Sequence, residues 1–144
     1  LMSNFLGDLQ RNSSVANITP VLARTTGANG SSYDNKYAGA KLTTAILFTG
    51  AMTGTSPTLD VEFQQSSDNV TFTDIPNAAF STVVAADQIA LLSFVAQMEY
   101  VRPVWALGGT TPNFTFGIGI IATKKEWGNP DGGGFANDLA PSYA

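Results

Sequence analysis

An all-β fold, an antiparallel sandwich or barrel, is what this sequence predicts, and three observations predict it. Apolar and polar residues alternate with a period of two across several segments rich in β-branched and aromatic side chains. Clusters of Gly, Pro, Ser, Asn and Asp interrupt those segments at short intervals. No segment carries a convincing apolar run at helical spacing. At 144 residues the chain is about one domain's worth, enough to bury roughly two-thirds of its unfolded surface without staples. The body is placed at residues 18–125. The polar segment 1–17 and the Gly- and Pro-rich segment 126–144 read as extended N- and C-terminal arms.

Taken in order, Lys41–Phe48 alternates, with Leu42, Thr44, Ile46 and Phe48 on one face and Thr43, Ala45 and Leu47 on the other. Thr53–Pro57 then reads as a connection. Thr58–Gln64 follows as a strand with Leu59, Val61 and Phe63 inward and Asp60, Glu62 and Gln64 outward. Ser66–Asn69 has the residues of a hairpin loop, and Val70–Thr73 resumes the alternation beyond it. Gln88–Ala96 is read as a strand, although Asp87 also suits a helix cap. Pro103 inside Tyr100–Leu107 predicts an edge strand or a bulge there. Gly108–Pro112 reads as a second long connection, and Phe114, Phe116, Ile118 and Ile120 share one face of a last strand.

Composition narrows the chemistry. The chain has no Cys and no His, which removes disulfides, thiolate nucleophiles, Cys/His zinc sites and His-based triads. Seven basic against 11 acidic residues give a net charge of −4, and Arg102, Lys124 and Lys125 make no basic stripe, so no nucleic-acid partner is expected. No apolar run approaches the roughly 20 residues of a membrane helix, and the first residues lack the pattern of a signal peptide, so no membrane partner is expected. Asp131–Gly134 resembles a phosphate cradle only in glycine content. No Gly-x-Ser-x-Gly elbow occurs. Asp60 and Glu62, two apart on one strand, project from the same face, a spacing that could place two carboxylates within reach of a glycosidic bond as general acid and nucleophile. Gln64 continues that row, so a solvated face is the plainer reading. Asp68, Asn69 and Asp74 offer oxygen ligands for calcium without the full spaced pattern of a calcium loop, and turn chemistry explains them as well. No catalytic residue, metal ligand or cofactor is expected.

Only 12% of residues are charged while 44% are hydrophobic, which points to a chain that hides surface in partners or stays in solution through Ser, Thr and Asn. Trp105 alternates with Val101 and Leu107 and reads as core. Trp127 lies beyond the last strand and reads as a contact residue. The candidate partner contacts are Phe5, Leu6 and Arg11 in the N-terminal arm and Trp127, Phe135, Leu139 and Tyr143 in the C-terminal arm. They are chosen as scattered anchors for neighbouring subunits.

Across residues 34–125 the order of elements resembles a family of small tailed-bacteriophage virion proteins, the capsid decoration or cement proteins. The resemblance rests on a hairpin with Gln65, Ser67, Asp68, Phe72 and Asp74, followed by a strand with Tyr100, Val101 and Arg102. It implies an antiparallel β-sandwich of jelly-roll type and a non-enzymatic protein on the outer capsid surface of the virion. Its implied partners are the major capsid protein and further copies of itself, often as a trimer, and it implies that the protein reinforces the head. The absence of Cys suits assembly in a reducing host cytoplasm. The alternatives are a tail, neck or fibre component, a carbohydrate-binding module using Trp127, and a glycosidase using Asp60 and Glu62.

Overall fold

A computed structural model describes residues 13–35 and 41–123. Among the described residues seven strands follow in order: β1 Ser13–Arg24, β2 Ala28–Asn29, β3 Tyr33–Asp34, β4 Lys41–Ser66, β5 Thr73–Ala79, β6 Ile89–Ala96 and β7 Tyr100–Thr123. β1 begins at Ser13, inside the segment read from sequence as the N-terminal arm. Asp87 does not start a helix, and the strand expected after it is present as β6.

Two long strands organise the molecule. β4, of 26 residues, and β7, of 24, pair antiparallel from Thr43↔Ala122 to Ser66↔Tyr100. The stretches expected to be connections, Thr53–Pro57 and Gly108–Pro112, are not loops. They lie opposite one another within this ribbon, with Thr55 facing Thr110 and Thr58 facing Gly108. Turn-forming residues do act there, as paired bulges rather than as a chain reversal. The register shifts three times between Thr49 and Thr58, and Gly54 (φ 118°) and Gly109 (φ 97°) hold backbone conformations that favour glycine. A Cβ at Gly109 would come within 2.5 Å of the Ser56 carbonyl oxygen, so the strands cross too closely for any side chain.

The bulges also reset which residues face inward. Along β7 the buried positions change from Val101, Pro103 and Trp105 to Phe114, Phe116, Ile118 and Ile120, from odd numbers to even. The ribbon therefore folds over and packs its two halves face to face. Phe63 stacks on Phe94 of β6 at 4.8 Å between ring centroids, and Trp105 meets Phe116 edge-on at 5.4 Å.

Each half of the ribbon gains flanking strands. One sheet runs β1, the second half of β7, the first half of β4, β6. The other runs β2 and β3, the first half of β7, the second half of β4, β5. Counting the halves as separate segments in chain order, with β2 and β3 as one, the sheets read 1-8-3-6 and 2-7-4-5. That interleaving is a jelly roll, a sandwich made by rolling one antiparallel ribbon. The all-β class, the antiparallel pairing and the sandwich are as the sequence predicts.

Two local expectations change. Val70–Thr73 is mostly loop, because Asp68 Oδ1 accepts the amides of Val70 (2.9 Å) and Thr71 (2.8 Å), leaving them no ladder partner, and β5 begins only at Thr73. Pro103 sits in a strand flanked on both sides rather than at an edge. Its carbonyl accepts the Gly30 amide at 2.8 Å in the break between β2 and β3, so the missing proline N–H faces an interrupted ladder.

Candidate interaction surface

The first sheet has an apolar outer face. On β4 it shows Leu42, Thr44, Ile46 and Phe48, and the register places Val95, Ser93, Leu91 and Ile89 of β6 directly across from them. These cross-strand partners share a face, so the exposed side chains form one patch. Ile89 is 72% exposed, Leu91 68% and Leu42 54%. The described side chains of the patch carry no charge. Its two hydroxyls, on Thr44 and Ser93, bond each other at 3.0 Å. On the far side Ile121, Gly119 and Gly117 of β7 continue the floor. There β1 closes the face, since a Cβ at Gly117 would meet the Val21 side chain at 2.6 Å. The exposed apolar side chains of the two strands are therefore contiguous.

Arg24, which sequence reasoning missed, fastens that closing strand. Its guanidinium donates to the carbonyls of Phe116 (2.8 Å), Pro20 (2.9 Å) and Leu22 (3.0 Å) and lies over the rings of Phe116 and Trp105 at 4.6 and 5.0 Å. A lone Arg between Ala23 and Thr25 gives no sequence signal for such a role.

The second sheet's outer face is polar. Gln64 accepts two N–H groups of Arg102 at 2.8 and 3.0 Å and donates to Asp74 at 2.9 Å, while Arg102 lies 3.9 Å over the Phe72 ring. Gln65 is buried and accepts the Gln97 amide. Asp68 caps the loop by accepting the Ser66 hydroxyl as well as two amides, and these bonds, with the Thr71 amide foremost, hold its carboxyl down at about 2. Of the residues that carry the sequence resemblance, Gln65 pairs with Val101 and Arg102 lies over Phe72, while the bonds of Asp68 stay inside the β4–β5 loop. Asn69 accepts the Ser32 hydroxyl at 2.6 Å, so Asp68, Asn69 and Asp74 are all engaged by protein donors.

Asp60 and Glu62 face outward as expected, beside a depression of about 290 Å³ that Phe80 and Val104 also line. The Asp60 carboxylate accepts the Thr82 hydroxyl. Trp105 is core, 8% exposed. Burial pushes the Tyr33 phenol up to about 12, against a smaller opposing effect of the Thr43 hydroxyl. The arm residues Phe5, Leu6, Arg11, Trp127, Phe135, Leu139 and Tyr143 lie outside the described residues.

No family model matches the chain, and no curated protein matches it. Solved structures do. VP2 of the infectious bursal disease virus subviral particle aligns with a TM-score of 0.56 at 9% identity, over 81% of this chain and 33% of that one. The infectious bursal disease virus Gx strain structure gives 0.51 at 9% identity, over 78% and 32%. The fold is shared with these viral chains. This chain spans about a third of their length. The SPBc2 prophage-derived protein YomS aligns over 76% of this chain and 94% of its own at 16% identity, with a TM-score of 0.46.

Proposed function

We propose that this protein is a non-enzymatic structural component of a virion, a decoration or cement protein that binds the assembled shell of major capsid protein and reinforces it. The observation that carries the reading is the uncharged apolar outer face of the β6–β4–β7 sheet, a surface that water alone does not favour. The shared fold with VP2 of a viral particle supports it, as does the resemblance of the hairpin motif. A shell inflated by packed DNA is weakest at its subunit junctions. A protein spanning several subunits adds buried area across them, and several weak contacts made together multiply. In this reading Phe5, Leu6, Arg11, Trp127, Phe135, Leu139 and Tyr143 add anchors from the arms, and copies associate in threes on the shell.

Co-sedimentation with purified expanded shells tests the reading. The native protein should saturate the shells and raise their disruption temperature. Phe48→Asp and Leu42→Asp, at the two ends of the face's β4 row, should remain folded and lose binding at least tenfold. Removal of residues 128–144 should weaken attachment further. Equal binding by native protein and both face variants would remove the face from the reading. No binding by native protein at tens of micromolar would remove the reading itself.

A further inference from the structure

Jelly rolls have open sheet edges, and the edges of this one differ. β5 carries Asp74, Pro76 and Asn77 at φ 59°, all of which discourage a further strand. β1 carries Pro20 and two register shifts. β6, with the sequence IALLSFVA, has no charge, proline, glycine or bulge and runs in unbroken register against Lys41–Phe48 of β4. It pairs with no other strand among the described residues.

The open hydrogen-bonding groups can be named. The Thr49 amide donates to the Gln88 carbonyl at 2.8 Å and the Gln88 amide donates to the Thr49 hydroxyl at 2.9 Å, so Gln88 turns its backbone toward β4. Successive residues of a strand turn their backbone groups to opposite sides. Ala90, Leu92 and Phe94 therefore also serve β4, and Ile89, Leu91, Ser93 and Val95 aim their N–H and C=O groups at the free edge. These are the same four residues that show their side chains on the apolar face.

We infer that the free edge of β6 pairs antiparallel with β6 of a second copy of this chain, joining two first sheets into one. Three features select that occupant. A charged strand laid on this edge would place an unpaired charge beside Ile89 and Leu91, whereas a second IALLSFVA brings none. Identical charged edges repel, and this edge lacks the charge that does so. In any register that sets odd residues against odd, both outer faces lie on the same side. The apolar patch then runs unbroken across the junction, with Ile89, Leu91 and Val95 of one copy beside those of the other. The contact has two-fold symmetry and needs no capsid protein, so it stands apart from the reading above.

Amide hydrogen exchange and analytical ultracentrifugation of the full chain, from about 1 μM to 1 mM, test the pairing. Sedimentation should show a monomer–dimer equilibrium. The amides of Ile89, Leu91, Ser93 and Val95 should gain protection in step with the dimer. Leu91→Pro and Val95→Pro remove a free-edge donor without removing a bond to β4, and each should weaken association at least tenfold with the remaining strands still protected. Rapid exchange at those four amides throughout the range would overturn the inference, even in a protein that forms trimers. Concentration-independent protection that disappears on removing residues 124–144 would also overturn it, assigning the edge to this chain's own C-terminal segment. The native-protein exchange decides the matter even if neither proline variant folds.

Discussion

The two halves of β4 face water differently. The first half presents Leu42, Thr44, Ile46 and Phe48, while the second presents Asp60, Glu62 and Gln64. Their inner rows are comparable: Ala45 and Leu47 on one side, Leu59, Val61 and Phe63 on the other, all nearly without exposure. Folding accounts for both inner rows, since each closes one side of the same core. It does not account for an apolar outer row on one half alone. A monomer would be served equally well by charged residues at Leu42 and Phe48, as it is at Asp60 and Glu62. The difference is thus not a requirement of how the chain folds.

The strongest way to break the comparison is to remove what the two halves share. Phe63 has no exposure and stacks on Phe94 across the sandwich. Phe63→Ala should cost about 3–5 kcal/mol. Urea unfolding should show both sheets lost in one transition, and separate transitions for the two halves would contradict a common core. The corner comes next. Gly109→Ala meets both a positive φ and the Ser56 carbonyl oxygen at 2.5 Å, and should cost about 1–3 kcal/mol. Gly50→Ala, whose nearest neighbours lie at 3.8 Å, serves as its control and should change far less.

The corner also shows where sequence reading stops. Alternation gave the inward rows of Thr58–Gln64 and of Phe114–Ile120, because period two is a direct consequence of the pleat. The same logic placed Trp105 in the core. It could not see that Thr53–Pro57 and Gly108–Pro112 face each other, since Gly, Ser, Thr and Pro signal a departure from regular strand without saying whether the chain reverses or bulges in step with a partner. That distinction depends on a residue more than 50 positions away, as with Thr55 and Thr110. The apolar face was half visible: Leu42, Thr44, Ile46 and Phe48 stood out as one row, but only the register with β6 joins them to Ile89, Leu91 and Val95. Arg24 was illegible for the same reason, because its partner Phe116 is remote in sequence. The arm residues chosen as contacts fall outside the described residues.

A sharper form of the comparison exchanges the two faces. Phe48→Asp, at a position 42% exposed and paired with Ile89, should lower unfolding free energy by about 1 kcal/mol through lost strand propensity and the lost cross-strand pair, while reducing adhesion. The reverse change, Asp60→Leu with Glu62→Leu, should leave the fold intact and create a second adhesive surface, read as added mass in light scattering. If the reversed variant stays as dispersed as the native protein, an apolar outer row is not sufficient for adhesion, and shape must carry more of it.

The smallest effect separates the polar half by its response to acid. Asp68 is fully exposed, yet the amides of Thr71 and Val70 and the Ser66 hydroxyl hold its carboxyl at about 2 against an ordinary 3.8. A carboxyl depressed on folding stabilises the chain above its unfolded value, and that contribution fades as pH falls from about 4 through about 2. The loop it caps belongs to the second sheet, next to the Arg102 and Gln64 network. Acid should therefore loosen the β4–β5 hairpin before it touches the first sheet, where no described carboxylate lies on the outer face between Leu42 and Phe48. Asp68→Asn should flatten the fall in melting temperature between pH 4 and pH 2, and the protection of the Val70 and Thr71 amides, relative to their intrinsic exchange, should no longer change with pH. An unchanged acid profile would mean that exposed loop bonds of this kind are replaced by water at no net loss, and that the two halves differ in adhesion alone.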